Sequence, residues 1–410
     1  MDALPFNIAF ALLLAGGWLA GKLSAALRLP AILGMVAFGI LAAIFGKDLA
    51  PPLLWELAPS LKSFALVVIL LRAGLGLSRA TLQKVGLTAI LMAALPCLFE
   101  GAALTLLIHS VFGFSWTVAA LTAFMLAAVS PAVVVPSMLD FASRGIGKKN
   151  EVPTLILAGA SADDVFAITL FSVFLGLATA SGATAGGGNP AGILETILSI
   201  PLSIVIGIAS GLLAGFLLSL LFKRHYTTIR ATEKALLLLV CGTLLVAVGD
   251  TLHFAALLGL MAAGFLILER HETIAHELAG KLQKLWVFAE IVLFVLIGYS
   301  LEPQIALDAG FKGILVILGG IAARSAGVFA ATAFSPLSFK ERLFCAIAYI
   351  PKATVQAALG GVALSAGLPE GQTILALAVL AILFTAPLGL IGIRWGGKHL
   401  LMQDEPAPRA

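Results

Sequence analysis

Two adjacent aspartates, Asp163 and Asp164, stand in the apolar run LAGASADDVFAITLF, and Glu100, Arg324 and Lys352 interrupt other runs of the same kind. A charge at the centre of a hydrocarbon layer costs at least about 2.5–3.5 kcal/mol, so each is expected to serve a function. A half-buried carboxylate is disfavoured in its charged form by lost solvation. It holds either a proton or a small hard cation, and that competition is the minimum machinery for exchanging Na⁺ against H⁺. Successive helical residues diverge by about 100°. One of the two aspartates can therefore face an aqueous funnel while the other braces a neighbouring helix. A salt-bridged pair that only holds helices together is the bland alternative, and two adjacent acids are costly for that purpose. Glu100, Asp163 and Asp164 against Arg324 and Lys352 leave a balance of −1, which one cation or one proton would neutralise. Glu100 is assigned to Arg324, because a guanidinium clasps a carboxylate bidentately and never titrates.

The elements that hold these residues must be membrane helices. The 410 residues are 60% hydrophobic and only 11% charged, with a mean hydropathy of +1.09; an ordinary soluble domain is about 25% charged. No soluble core hides that much apolar surface. The chain is expected to be an all-α polytopic membrane protein, which excludes a disulfide scaffold, a disordered chain and a nucleic-acid partner. Its 25 basic and 21 acidic residues are explained by basic loops beside a membrane. Cys97, Cys241 and Cys345 all lie in apolar runs as small hydrophobes. The stretch from Asn7 to Leu27 is too long for a signal-peptide core, lacks a small-residue cleavage site, and reads as the first span.

With about 20 apolar residues per crossing, thirteen spans are expected. The first seven are Pro5–Leu27, Ala31–Phe45, Ser63–Leu77, Lys84–Phe112, Trp116–Leu139, Pro153–Thr179 and Ala191–Phe222. The other six are Ala231–Gly249, Phe254–Leu268, Lys284–Ser300, Phe311–Phe334, Glu341–Leu364 and Gln372–Trp395. The connections after odd-numbered spans, with the carboxyl terminus, carry 19 of the 25 basic residues, and the other side carries Lys47, Lys62 and Lys312. That segregation predicts an external amino terminus and a cytoplasmic carboxyl terminus. Arg72, Arg324 and Lys352 remain within the spans, Arg72 near enough to an end to snorkel.

At about 1.5 Å per residue, Asp163, Lys352, Arg324 and Glu100 fall roughly 15–24 Å into their spans, near the midplane. Two spans at this depth are interrupted, the fifth by Ser130-Pro131 and Pro136, the twelfth by Pro351-Lys352. Proline removes an amide donor and clashes with the carbonyl four residues back, and the freed groups need partners in protein or a polar cavity. Lys352 is expected to neutralise the half-helix carbonyl ends, while Ser130 and Thr354 supply oxygen to a cation. Spans five and twelve lie an odd interval apart and run oppositely, so spans four to six and eleven to thirteen are expected to form an inverted repeat. Paired broken helices of this kind point to a transporter ion site.

The runs SPAVVVPSML, GASADDVFAITLF, AARSAGV and PKATVQAALG, in this order, resemble the cation:proton antiporter superfamily over nearly the whole chain. The likeness is greatest to the sodium/proton exchangers of solute carrier family 9, subfamily B, and their bacterial relatives. The resemblance implies an elevator-type homodimer in the inner membrane of a bacterium, transporting Na⁺ or Li⁺ and H⁺ without a cofactor. It implies dimerisation segments at 1–82 and 226–310, core halves at 83–180 and 311–397, a linker helix at 181–225 and a cytoplasmic tail at 398–410. It makes Asp164 the principal ion and proton carrier and Asp163 its assistant, with Na⁺ held between them. Glu100 with Arg324 becomes the stabilising pair, and Lys352 the residue at the helix crossing. The electrogenic branch has lysine where Arg324 stands, and the electroneutral branch has asparagine for the first aspartate. Because Arg324 cannot release a proton, one-for-one exchange is expected.

Other signals are set aside. HETIAHEL, from His271 to Leu278, spaces its histidines five apart, off a shared helix face, and reads as a solvated connecting helix with a possible pH role for His271 or His276. SGATAGGGNPAG is followed by no lysine and reads as an external loop. His109 and His253 fit interfacial packing, and Glu290 has no assigned partner. An intramembrane aspartyl protease would need its two aspartates on separate helices. A sodium-coupled organic-solute symporter would need a wider cavity and has less use for paired acids. A potassium/proton exchanger of the same superfamily stays open, and the short tail after Trp395 argues against a glutathione-gated efflux type.

Overall fold

The computed structural model describes residues 4–27, 29–46, 49–76, 86–147, 149–183, 190–252 and 254–401. Arg28, Lys47, Arg79, Lys84, Lys148, His253, Arg409 and the centre of the glycine-rich segment lie outside the described residues. Among those described, every regular element is a helix. The helices are α1 (Phe6–Ala26), α2 (Ala31–Phe45), α3 (Pro52–Gly76), α4 (Leu87–Phe112), α5 (Trp116–Leu126), α6 (Pro131–Ser143), α7 (Val152–Ala183) and α8 (Pro190–Arg224). They continue with α9 (Ala231–Leu252), α10 (Ala256–Arg270), α11 (Glu272–Ser300), α12 (Pro303–Ala331), α13 (Phe339–Ala348), α14 (Thr354–Ser365) and α15 (Gly371–His399). Nine helices among the described residues are long and apolar enough to cross a membrane, and α2, α5, α6 and α14 are shorter apolar helices.

Several expected boundaries change; the eleventh span, for one, begins at Pro303 and not at Phe311. The third span begins at Pro52, not Ser63, so Glu56 and Lys62 are helical. Proline is tolerated in a first helical turn, where its missing N–H has no intrahelical partner anyway. Lys62, read as an outer-loop charge, instead donates to the Ser300 hydroxyl of α11 at 3.3 Å from within the fold. The expected connecting helix at 271–278 is also no separate element. It runs straight into the tenth span as α11, because Ile274, Ala275, Leu278 and Leu282 carry the same buried stripe onward at helical spacing. His271, just before α11, is partly buried beside Lys223 and Arg270, and burial followed by those charges lowers its proton affinity.

The helices pack as two groups. One contains α4–α7 and α12–α15, with α4 laid along α12 and both against the broken elements; the other contains α1, α2, α3, α8, α9, α10 and α11. Contacts within each group greatly outnumber those between them. In the second group, α2 and α11 approach to backbone contact through Gly39 and Gly298, where any side chain would strike the opposite helix. Such close approach through small residues is how helices associate where lipid removes the hydrophobic drive.

Within the first group a pattern recurs: a long helix (α4, α12), two short ones (α5–α6, α13–α14) and another long one (α7, α15). Pro131, in the first turn of α6, and Pro351, between α13 and α14, stand at the two breaks. The α13–α14 break is further shaped by Gly389 of α15, since a Cβ there would enter the Pro351 ring. Gly389→Val is expected to displace the break and to lower both the melting temperature and the helical content of the purified protein. Gly176→Ala, on α7 with nothing within 4 Å of an added Cβ, is expected to leave both unchanged; equal behaviour of the two variants would deny Gly389 this role.

Candidate ion site

The two breaks meet. The amide of Ser130 donates to the Pro351 carbonyl at 2.8 Å, joining the α5–α6 break to the α13–α14 break. Nonhelical backbone in an apolar interior needs internal partners, and side chains supply several of them here. Gln356 of α14 donates through Nε2 to the carbonyls of Ala128 at 2.6 Å and Leu126 at 3.4 Å, while its Oε1 accepts from the Ala353 amide at 2.8 Å. The Lys352 amide donates to Thr385 Oγ1 of α15 at 2.8 Å. The Val129 amide donates to Asp163 Oδ2 at 2.7 Å. Neither Gln356 nor Thr385 was singled out from the sequence, although a glutamine in an otherwise apolar half-helix is a usable signal.

Four charges form a closed set beside this crossing. Arg324 bonds through Nη1 to Glu100 Oε2 at 2.7 Å and to the Ala127 carbonyl, and through Nη2 to Asp163 Oδ1 at 2.9 Å. Lys352 Nζ bonds to Glu100 Oε2 at 2.6 Å. All four residues are at most 1% exposed, so each charge depends on the others for the stabilisation water would give. Glu100 and Arg324 meet through a single Nη1–Oε2 contact and not a bidentate clasp, as part of a larger set. The Lys352 ammonium goes to Glu100, and the carbonyl ends of α5, across the crossing, are taken by Arg324 and Gln356. A full carboxylate charge outcompetes a helix end equivalent to roughly half a charge.

Asp164 lies outside this set. It is 3% exposed, and its Oδ1 has no hydrogen-bond partner among the described residues. Two carboxylates and two cations cancel in the four-charge set, so Asp164 is the single carboxylate left over. The hydroxyl of Ser130, fully buried at the break, also lacks a partner among the described residues. Thr354, 2% exposed, begins α14. No cluster of three or more His, Cys, Asp or Glu side chains suited to a metal centre occurs among the described residues.

A cavity of about 420 Å³ opens between the two helix groups, with Glu290 and Ile32 on one wall and Ser137, Asp140 and Arg394 on the other. Val133, three residues beyond Ser130, also lines it. Glu290, unassigned from the sequence, lies within electrostatic reach of Arg72.

The family model for "Sodium/hydrogen exchanger, transmembrane" matches residues 9–395. The chain is similar to sodium/hydrogen exchanger 9B2 of Homo sapiens, 33% identical over 416 residues that cover 95% of this chain and 73% of that protein. It is 30% identical to sodium/hydrogen exchanger 9B1 of Homo sapiens, over 92% of this chain and 74% of that one. Its fold resembles that of the sodium proton antiporter MjNhaP1 from Methanocaldococcus jannaschii, with a TM-score of 0.76, 22% identity, and coverage of 96% and 99% of the two chains. The chain belongs to the sodium/hydrogen exchanger family: it is a multi-pass membrane antiporter of cations and protons, not an enzyme.

Proposed function

We propose that this antiporter carries Na⁺ or Li⁺ in one direction and H⁺ in the other by alternating access, with Asp164 as the carboxylate for which they compete. The observation that carries this reading is the bare Asp164 oxygen beside a charge-balanced set of Glu100, Asp163, Arg324 and Lys352. A carboxylate buried without a fixed counter-charge favours taking up either a cation or a proton. Ser130 and Thr354 contribute oxygens to the cation. Asp163 acts by spacing and steadying its neighbour, and Glu100, Arg324 and Lys352 hold the crossing in shape. The cavity walled by Glu290 and Asp140 is the aqueous path from the cytoplasmic side.

The two packed groups are the two moving bodies. Segments 83–180 and 311–397 form the ion-carrying core, and 1–82 and 226–310 form a scaffold that dimerises with a second copy. Residues 181–225 link them, and 398–410 are a cytoplasmic tail. Sparse contact between the groups favours rigid sliding of the elevator type. Thirteen crossings with an external amino terminus, in the inner membrane of a bacterium, complete the reading on the loop charges of the sequence.

Exchange is one for one, because one carboxylate accepts one Na⁺ or one H⁺ and Arg324 keeps its charge throughout the cycle. Moving one net charge would couple transport to voltage by about 2.3 kcal/mol per 100 mV. In vesicles whose voltage is clamped by valinomycin and K⁺, Na⁺-driven proton flux is expected to equal that without the clamp. A marked change on clamping would overturn electroneutrality.

A further inference from the structure

Tyr349 ends α13 at the crossing and is fully buried. The Arg324 guanidinium carbon stands 5.2 Å from its ring centroid, within the ~6 Å over which a cation is drawn to an aromatic face. Two nitrogens of that guanidinium are fixed by Glu100, Asp163 and Ala127. The third, Nε, is buried with no hydrogen-bond partner among the described residues. The Tyr349 hydroxyl is likewise without a partner there. It abuts α7 at Gly159, where an added Cβ would strike the phenol oxygen. Gly159 lies four residues before Asp163, on the same face of α7. With the hydroxyl unbonded, the ring face is what this side chain offers to the site.

We propose that Tyr349 is a positioning residue whose ring holds the Arg324 guanidinium in the orientation that bonds Glu100 and Asp163 together. The inference rests on Asp164 being the carrier. Glu100 keeps Lys352 if the guanidinium tilts, whereas Asp163 has Arg324 as its ion-pair partner and loses it. The uncompensated Asp163 charge then adds to that of Asp164, and like charge favours the protonated form. Protons would displace Na⁺ up to a higher pH. Among the described residues, the other charged or titratable groups around this network are Cys97 and Glu100 from α4, Arg324 from α12, Cys345 from α13 and Lys352 from the α13–α14 break.

The test replaces Tyr349 in the full chain with phenylalanine and, separately, with 3,4,5-trifluorophenylalanine. Fluorine drains negative charge from the ring face while nearly preserving its shape. Each reconstituted protein is assayed for Na⁺-driven proton flux across pH, with its melting temperature measured alongside. The Tyr349→Phe profile is expected to overlay that of the parent. The trifluorinated protein, melting close to Tyr349→Phe, is expected to have its acid limb moved to higher pH by on the order of half a unit, with a raised apparent KM for Na⁺ on that limb. Superimposed phenylalanine and trifluorophenylalanine profiles would overturn the proposal, as would a shift already complete in Tyr349→Phe, which would place the effect in the hydroxyl. Asp164→Asn keeps the two readings apart. If it is inactive while fluorination changes nothing, only the role of Tyr349 falls; if it remains active, the carrier assignment falls.

Discussion

Asp164→Asn is expected to abolish Na⁺-driven proton flux in a protein that folds and melts at least as high as the parent. Asparagine preserves the shape of the side chain and removes only the charge and the titratable proton. The amide can orient so that its NH2 takes the place of Oδ1, which has no hydrogen bond among the described residues to lose, and an unpaired charge at that depth costs free energy to bury. Neutralising it therefore relieves the fold while removing the group for which Na⁺ and H⁺ compete. Asp163→Asn provides the contrast. It breaks the 2.9 Å bond to Arg324 and weakens acceptance from the Val129 amide, so its cost falls on stability and its loss of transport is partial. Transport assays on both variants, paired with melting curves in detergent, separate the roles. Retained Na⁺-dependent flux in Asp164→Asn would remove it from the central position, and identical behaviour of the two variants would erase the distinction between carrier and neighbour.

That distinction was only half legible in the amino-acid sequence. The adjacent aspartates, their depth and the surplus of one negative charge follow from counting residues along apolar runs. Which aspartate stays free does not, because the helix only states that the two point about 100° apart. It takes the packing of α7 against the crossing to show Asp163 turned to Arg324 and the Val129 amide. The pairing of Glu100 with Arg324 was accessible because opposite charges in membrane must meet. The second partner of each was not, since Lys352 reaches Glu100 only through the meeting of two breaks more than 200 residues apart in the chain. Neutral groups escaped for another reason: Gln356, Thr385 and Tyr349 do not enter a charge balance, yet they satisfy or shape the broken backbone and its guanidinium. Errors of extent arose where polar residues sit within helices. Lys62 reads as an outer-loop charge and the stretch after His271 as a separate connecting helix, while packing against α11 and a continuous buried stripe make each part of a longer helix.

Arg324→Met should be the most damaging single change to stability. Its guanidinium serves Glu100, Asp163 and the Ala127 carbonyl at once, and methionine fills much of its volume with no donor. Glu100 would retain Lys352 at 2.6 Å, but Asp163 would keep only the Val129 amide. Removing one member of a buried ion set costs on the order of 3–5 kcal/mol, because the charge left behind has neither water nor partner. A large drop in melting temperature and loss of exchange are expected. Adding Asp163→Asn to Arg324→Met removes the orphaned charge and should recover a substantial part of the stability, so that the double variant melts above the single one. Such non-additivity is the signature of residues sharing one network. Arg324→Lys keeps a charge but not a fork, and should fall between parent and methionine, since one ammonium cannot reproduce two parallel donors in a fixed plane. If Arg324→Met melts like the parent, the four-charge set does not brace the crossing. If the double variant is no better than Arg324→Met alone, the cost lies in lost packing and not in a stranded carboxylate.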